Sequence, residues 1–257
     1  AYVRTSMDIM TDQARRTIWV VDTNGDHHRP LVSGSGNFSS PRWSPSGDRL
    51  AYLSNRDGKT QLFVQWLDGG ETAKVTTLPQ SPRSIVWSPD GKYIAFTRFV
   101  PKASPTLAEM PAKPKGASWA EPATVIDRMT FRRDGGGYLP TGNNQVFVVP
   151  ADGGTPRQMS NGDYPIGGPV TWMPDSKSII FSSNRRDDAE YHPRQTDLFS
   201  ASLVSGELVK VTDRAGSESN PVISSNGRYL AYTSAADTRQ GYNRAELRVK
   251  DLQSGED

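Results

Sequence analysis

An all-β fold of radially arranged four-stranded antiparallel sheets, a β-propeller, is what this sequence predicts, and three observations carry that expectation. The segment "WSPSGDRLAYLSNRDG" (Trp43 to Gly58) returns as "WSPDGKYIAFTR" (Trp87 to Arg98), with the two tryptophans 44 residues apart, and again as "WMPDSKSIIFSSNRR" from Trp172 and "ISSNGRYLAYTSA" from Ile223. Internal repeats of roughly 40–50 residues belong to propellers and solenoids. A second element recurs between them, in "IWVVDTNGD", "LFVQWLDGG", "VFVVPADGG", "LFSASLVSGE" and "LRVKDLQSGE". Each copy is a strand that ends in a turn rich in Asp, Asn, Ser and Gly, the strongest short-range hairpin signal. The composition agrees: 35% hydrophobic residues with 23 glycines and 19 prolines in 257 residues favours short strands and turns over long helices.

Each element follows from its residues. In the tryptophan-led turn, Pro45 or Pro89 presets φ at the second position and Gly47 or Gly91 supplies the positive φ of a tight reversal. The runs after it, "LAYLS", "IAFTR", "IIFSS" and "LAYTS", are apolar on consecutive residues, which is expected of strands covered on both faces. Short segments such as "AKVTT" and "LVKVT" close the unit as fourth strands. By this alignment "AYVRTS" at the start lies inside a second strand and "KDLQSGED" at the other end follows a third. About three full and two partial blades are therefore expected, as one incomplete propeller domain over residues 1–257. Open blade faces leave apolar surface in water, so the chain alone is expected to be marginally stable or sticky. One blade, from Arg83 to Ser160, is irregular, with an insertion at about 99–143 that is rich in Pro, Lys and Ala in its first part. Within it "TVIDRMTFRR" reads as an added strand or short helix and "DGGGY" as a flexible tip; insertions of this kind usually gather on a binding face.

Charge and composition exclude several classes. The formal net charge of +2 comes from 30 basic and 28 acidic residues without a basic block, so nucleic acid is not an expected partner. No apolar run is long enough to span a bilayer, and with no cysteine there is no disulfide, thiol nucleophile or thiolate metal site. The compartment stays open between cytoplasm and periplasm. No cofactor and no metal is expected. "DTNGD" (Asp22 to Asp26) alternates oxygen ligands but stands where other blades carry "LDGGE" and "ADGGT", and lacks the glycine position and closing glutamate of a calcium loop. It reads as a hairpin turn.

The blade series, the insertion segment "WAEPATVIDRMTFRRDGGGYL", the following "QVFVVPADGGTPRQMSNGDY" and "NRRDDAEYHPRQTDLFSASL" together resemble the N-terminal propeller of prolyl oligopeptidase (S9) family serine peptidases, in the bacterial acylaminoacyl or dipeptidyl aminopeptidase-like branch. The resemblance covers essentially the whole chain, and the "SPDGK" repeats are also similar to those of TolB. It implies a propeller that caps an α/β-hydrolase domain of the same polypeptide and gates the entry of peptide substrates. The TolB likeness implies instead a free-standing scaffold that binds a protein or peptide.

The chemistry of such a peptidase needs a G-x-S-x-G elbow and a histidine base, and neither is assembled in this sequence. "GASWA" (Gly116 to Ala120) lacks the final glycine, and His27 and His28 directly follow the "DTNGD" turn. No catalytic residue is therefore assigned to the chain. The stretch singled out is "NRRDDAEYHPRQTD", Asn184 to Asp197. Dipeptidyl peptidases of this clan carry an Asp-Trp-x-Tyr-Glu-Glu type segment whose glutamates hold the substrate's free amino terminus, which a carboxylate pair does by charge-assisted hydrogen bonds. Asp188, Ala189, Glu190 and Tyr191 lie on that pattern, but His192 and Pro193 stand where the glutamates belong. Glu190, Tyr191 and Arg194 are the candidate substrate-binding residues, against the alternative of a solvated, internally paired loop. Arg185 and Arg186 read as loop charges.

Overall fold

The computed structural model describes residues 1–103, 108, 111–120, 123–238, 242 and 244–257. Among these residues every regular element is a β-strand. The first sheet holds β1 (Tyr2–Asp8), β2 (Gln13–Val20) and β3 (Arg29–Val32). The second holds β4 (Phe38–Trp43), β5 (Arg49–Ser54), β6 (Gln61–Trp66) and β7 (Thr72–Lys74). The third is built from β8 (Pro82–Trp87) and β9 (Tyr93–Pro101), then, beyond a small hairpin of β10 (Arg132–Arg133) and β11 (Gly137–Tyr138), from β12 (Gly142–Pro150) and β13 (Arg157–Gln158). The fourth holds β14 (Ile166–Trp172), β15 (Ser178–Ser183), β16 (Asp197–Ser202) and β17 (Leu208–Lys210), and the fifth β18 (Ser217–Ile223), β19 (Tyr229–Ala235) and β20 (Ala245–Asp251). The five blades are antiparallel meanders in sequence order, the middle three with four strands and the outer two with three.

Alternation within the second strands explains the consecutive apolar runs. Ala51 and Leu53 face the third blade, where they meet Ile85, Trp87, Ile94 and Phe96. Leu50 and Tyr52 face the first, against Ile18 and Val32. The same division puts Ile179 and Phe181 against the third blade and Ile180 against the fifth. Four apolar layers result, one between each pair of neighbouring blades, and no blade has a core of its own.

The repeated tryptophans lock blade to blade. Trp87 Nε1 donates to the Arg42 carbonyl of the preceding first strand at 3.0 Å, and Trp172 Nε1 to the Val86 carbonyl at 3.3 Å. Both rings are buried, while Trp43, with no first strand beneath it in the first blade, is 40% exposed. Arg49 adds a second tie across the same junction, with its guanidinium over the Trp87 ring, one nitrogen on the Gly91 carbonyl and another on Asp152. A further device recurs in four blades. Arg4 and Arg98 within their second strands, and Arg56 and Arg185 just beyond theirs, lie over the third-strand rings of Trp19, Phe147, Phe63 and Phe199 at 4.2–5.6 Å. Arg185, expected as a loop charge, is thus an aromatic-stacked anchor that also bonds Asn161.

The insertion occupies 102–141, slightly inside the expected bounds, and leaves the ladder intact, since β9 and β12 pair from Pro101↔Gly142 to Tyr93↔Pro150. Gly142 closes it at φ +135°, where a Cβ would stand 2.2 Å from the Val100 carbonyl oxygen, so no larger residue fits without moving backbone. Of "TVIDRMTFRR" only Arg132 and Arg133 become strand, and "DGGGY" is the turn of the ordered β10–β11 hairpin rather than a loose tip.

Candidate functional site

Insertion and loop 184–196 meet on one rim. Both join the second and third strands of their blades, so they leave the same end of neighbouring sheets. The loop is a chain of turns, with backbone bonds Ala189→Arg186, Tyr191→Asp188, His192→Ala189 and Gln195→His192 at 2.9–3.2 Å. Buried Asn184 donates to the His192 carbonyl at 2.8 Å and fastens the loop's two ends. Arg186 grips both oxygens of Asp188, at 2.7 and 3.1 Å, and His192 Nε2 lies 3.4 Å from the same carboxylate. The Arg186 hydrogen bond, aided by its charge, holds the Asp188 carboxyl below its usual range, and Arg186 is raised in turn. Downstream, Gln195 reaches Asp237 of the fifth blade at 3.3 Å.

The three predicted residues separate in role. Glu190 crosses to the insertion, where its carboxylate accepts the Met129 backbone N–H at 3.2 Å. Tyr191 is 74% exposed, and Arg194 is exposed on the same loop. The loop is therefore internally paired around Asp188, but Glu190 and Tyr191 lie outside that pairing and face the insertion and solvent. The base of the insertion is pinned by Asp163, which receives Lys102 and, at 2.8 Å, the Asn143 amide. If Glu190 is the latch between loop and insertion, Glu190→Ala is expected to speed proteolytic nicking within 102–141 several-fold with little change in global melting. An unchanged nicking rate would remove that role.

No hydrolytic constellation is present among the described residues. Ser118 of "GASWA" is exposed on irregular backbone, His27 pairs with Asp22 at 2.6 Å in the "DTNGD" turn, and His28 packs with Tyr2 and Trp19. No group of three His, Cys, Asp or Glu among the described residues is placed to hold a metal. No helix among them is long and apolar enough to cross a membrane.

A concavity lies where the first strands converge. It measures about 600 Å³ and is lined by Arg42, Arg83, Asn144 and a wall that includes Ile166, Pro169 and Val170. The backbone there is strained in a repeated way. All four complete first strands break register before the tryptophan position, and Ser40, Ser84, Gly168 and Asn220 take φ between +52° and +68° at the break. For non-glycine residues that conformation is uncommon and marks a position held by its surroundings. The sequence gives no warning of it, since "FSSPRW" and "PRSIVW" carry neither a glycine nor a clear alternation.

Comparison with known proteins gives two family likenesses, one in each half of the chain. Residues 6–115 match the TolB beta propeller domain (PD40), and residues 117–238 match the dipeptidyl peptidase IV N-terminal region. The chain's relatives are S9-family peptidases and TolB-like propellers. An uncharacterized peptidase of Bacillus subtilis, YuxL, is 30% identical over 192 residues, covering 74% of this chain and 28% of the relative. Dipeptidyl-peptidase 5 of Porphyromonas endodontalis is 24% identical over 260 residues, covering 94% of this chain and 36% of its own length. Among solved structures, the acylaminoacyl peptidase of Pyrococcus horikoshii superposes with a TM-score of 0.71 at 17% identity, over 97% of this chain and 36% of that one. The chain thus spans about a third of the length of the peptidases it matches.

Proposed function

We propose that this chain is the substrate-gating and binding propeller of a serine exopeptidase, acting on short or N-terminal peptides, whose α/β-hydrolase domain lies elsewhere on the same polypeptide. The observation that carries the reading is the dipeptidyl peptidase IV N-terminal match over 117–238, because it takes in loop 184–196, most of the insertion and the bond between them. Glu190 and Tyr191, with Arg194 beside them, are the residues proposed to meet the peptide at that rim. A single glutamate in place of a pair supplies fewer oxygens to a substrate ammonium, so amino-terminal capture here is weaker than in enzymes with two.

The test is direct. The complete reading frame is expected to encode a G-x-S-x-G elbow, and the full-length protein to release nitroaniline from aminoacyl or dipeptidyl nitroanilides, with loss of turnover when the elbow serine is changed to alanine. The 257-residue chain alone is expected to be inert. A complete frame without the elbow, or turnover by this chain alone, would overturn the proposal. The PD40 match over 6–115 favours a second reading, a TolB-like scaffold, which predicts peptide or protein binding by the full-length protein with no hydrolysis.

A further inference from the structure

The geometry points to a carboxylate-binding site in the concavity formed by the first strands of the second, third and fourth blades, with Arg42 and Arg83 as the anion-holding residues and a peptide acid as the ligand class. Two arginines from neighbouring blades line one hollow of about 600 Å³, and no aspartate or glutamate lines it. Neither arginine forms an ion pair among the described residues. Arg42 gives one Nη1 hydrogen bond to the Pro41 carbonyl at 2.9 Å, and Arg83 has no side-chain hydrogen bond among those residues. Several other arginines of this propeller are neutralised or stacked, as with Arg49, Arg98, Arg186 and Arg228. Two like charges left facing one cavity repel one another, and an anion between them converts that repulsion into two charge-assisted bonds.

The backbone supports the placement. The register breaks at Arg83/Val86 and Gly167/Thr171 take Ser84, Ile85 and Gly168 to Val170 out of the ladder on the walls of the hollow. The positive φ of Ser84 and Gly168 turns these segments away from regular pleat beside the two arginines. Asn144 adds an amide from the start of β12. The rest of the wall is mixed, with Ser84 and Thr97 beside an apolar stretch of Ile166, Pro169 and Val170. That combination suits an organic acid with an apolar body, a peptide terminus or acidic side chain, better than bare phosphate, which would leave the apolar stretch unused.

The test measures binding and is independent of turnover, so it stands or falls separately from the peptidase proposal. In the full-length protein, dye-labelled Gly-Gly-Phe with a free C-terminal carboxylate, the same tripeptide as its amide, and an amidated Gly-Asp-Phe are compared by fluorescence anisotropy. The free acid is expected to bind about tenfold more tightly than the amide, the worth of a charge-assisted hydrogen bond or two. Arg83→Ala and Arg42→Ala are each expected to remove most of that preference without altering amide binding or the melting temperature, and Arg83→Lys to restore part of it. Preference for the amidated Gly-Asp-Phe over the plain amide, lost in the same variants, would identify the side-chain carboxylate as the source and equally support the site. Equal binding of acid and amide, a preference untouched in both alanine variants, or tighter binding of inorganic phosphate than of the acid would overturn it.

Discussion

Trp87→Ala is expected to destabilise the propeller by about 3–5 kcal/mol, the usual range for removing a buried large aromatic side chain. The ring is 7% exposed and sits in the apolar layer between the second and third blades, among Leu53, Leu62, Ile94 and Phe96. Its indole also satisfies the Arg42 carbonyl at 3.0 Å, and its face carries the Arg49 guanidinium at 5.0 Å. Trp87→Phe separates these contributions: it keeps most of the apolar body and is expected to cost roughly 1–2 kcal/mol, for the lost hydrogen bond and imperfect packing. The control is Trp43→Ala, at the equivalent position of the preceding repeat. There the ring is 40% exposed, and the expected loss is within about 1 kcal/mol. Denaturant titrations of the three variants decide the matter. Equal losses at Trp43 and Trp87 would mean that the tryptophan serves its own turn rather than the junction between blades.

That contrast also marks what sequence reasoning reaches in a repeat fold. Local chemistry is repeated with the unit, so the turns at Gly47 and Gly91, the second strands covered on both faces and the third-strand hairpins are all legible from residue type and spacing. What depends on a neighbouring blade is not. "SNRR" reads as charge on a loop because nothing in the string shows that Tyr164 and Phe199 stand beneath Arg185. Glu190 is found through its likeness to a known segment, yet its partner is a backbone N–H at Met129, and a main-chain donor has no signature in sequence. Arg42 and Arg83 look like two of thirty scattered basic residues until the register breaks bring them to one hollow. Regions without repeat or periodicity fare worst. In 124–133 the apolar residues suggest an element, but without a sheet edge to pair with, only the last two residues join a hairpin.

Glu218→Gln is expected to stabilise this chain by about 1–3 kcal/mol at neutral pH, because the amide keeps a polar group of the same shape but removes the charge whose burial is unfavourable. Alignment of the first strands puts Glu218 in the slot that Phe38, Pro82 and Ile166 occupy in the other blades, where all are buried. Glu218 is fully buried as well, and among the described residues neither carboxylate oxygen has a hydrogen-bond partner. Burial raises its pKa above the usual 4.5; Asp197 and Asp257 push in the same direction, while Arg214 opposes. The other charges are already engaged, Asp197 with Lys210 and Asp257 with Arg214 and the Tyr232 hydroxyl, so none is free to compensate. The pH dependence has a fixed sign. Below the usual glutamate pKa the group is protonated in both folded and unfolded chains and carries no charge penalty. As pH rises from there through the raised folded value, the unfolded chain loses its proton first, and stability falls until the folded carboxyl also ionises. The Gln variant has no such proton, so its stability should match that of the parent near pH 4 and exceed it increasingly above pH 5. Denaturation midpoints of parent and variant between pH 4 and pH 8 measure the divergence. A variant less stable than the parent at neutral pH would mean that the carboxylate is ionised and held by a partner, and that the blade depends on its charge.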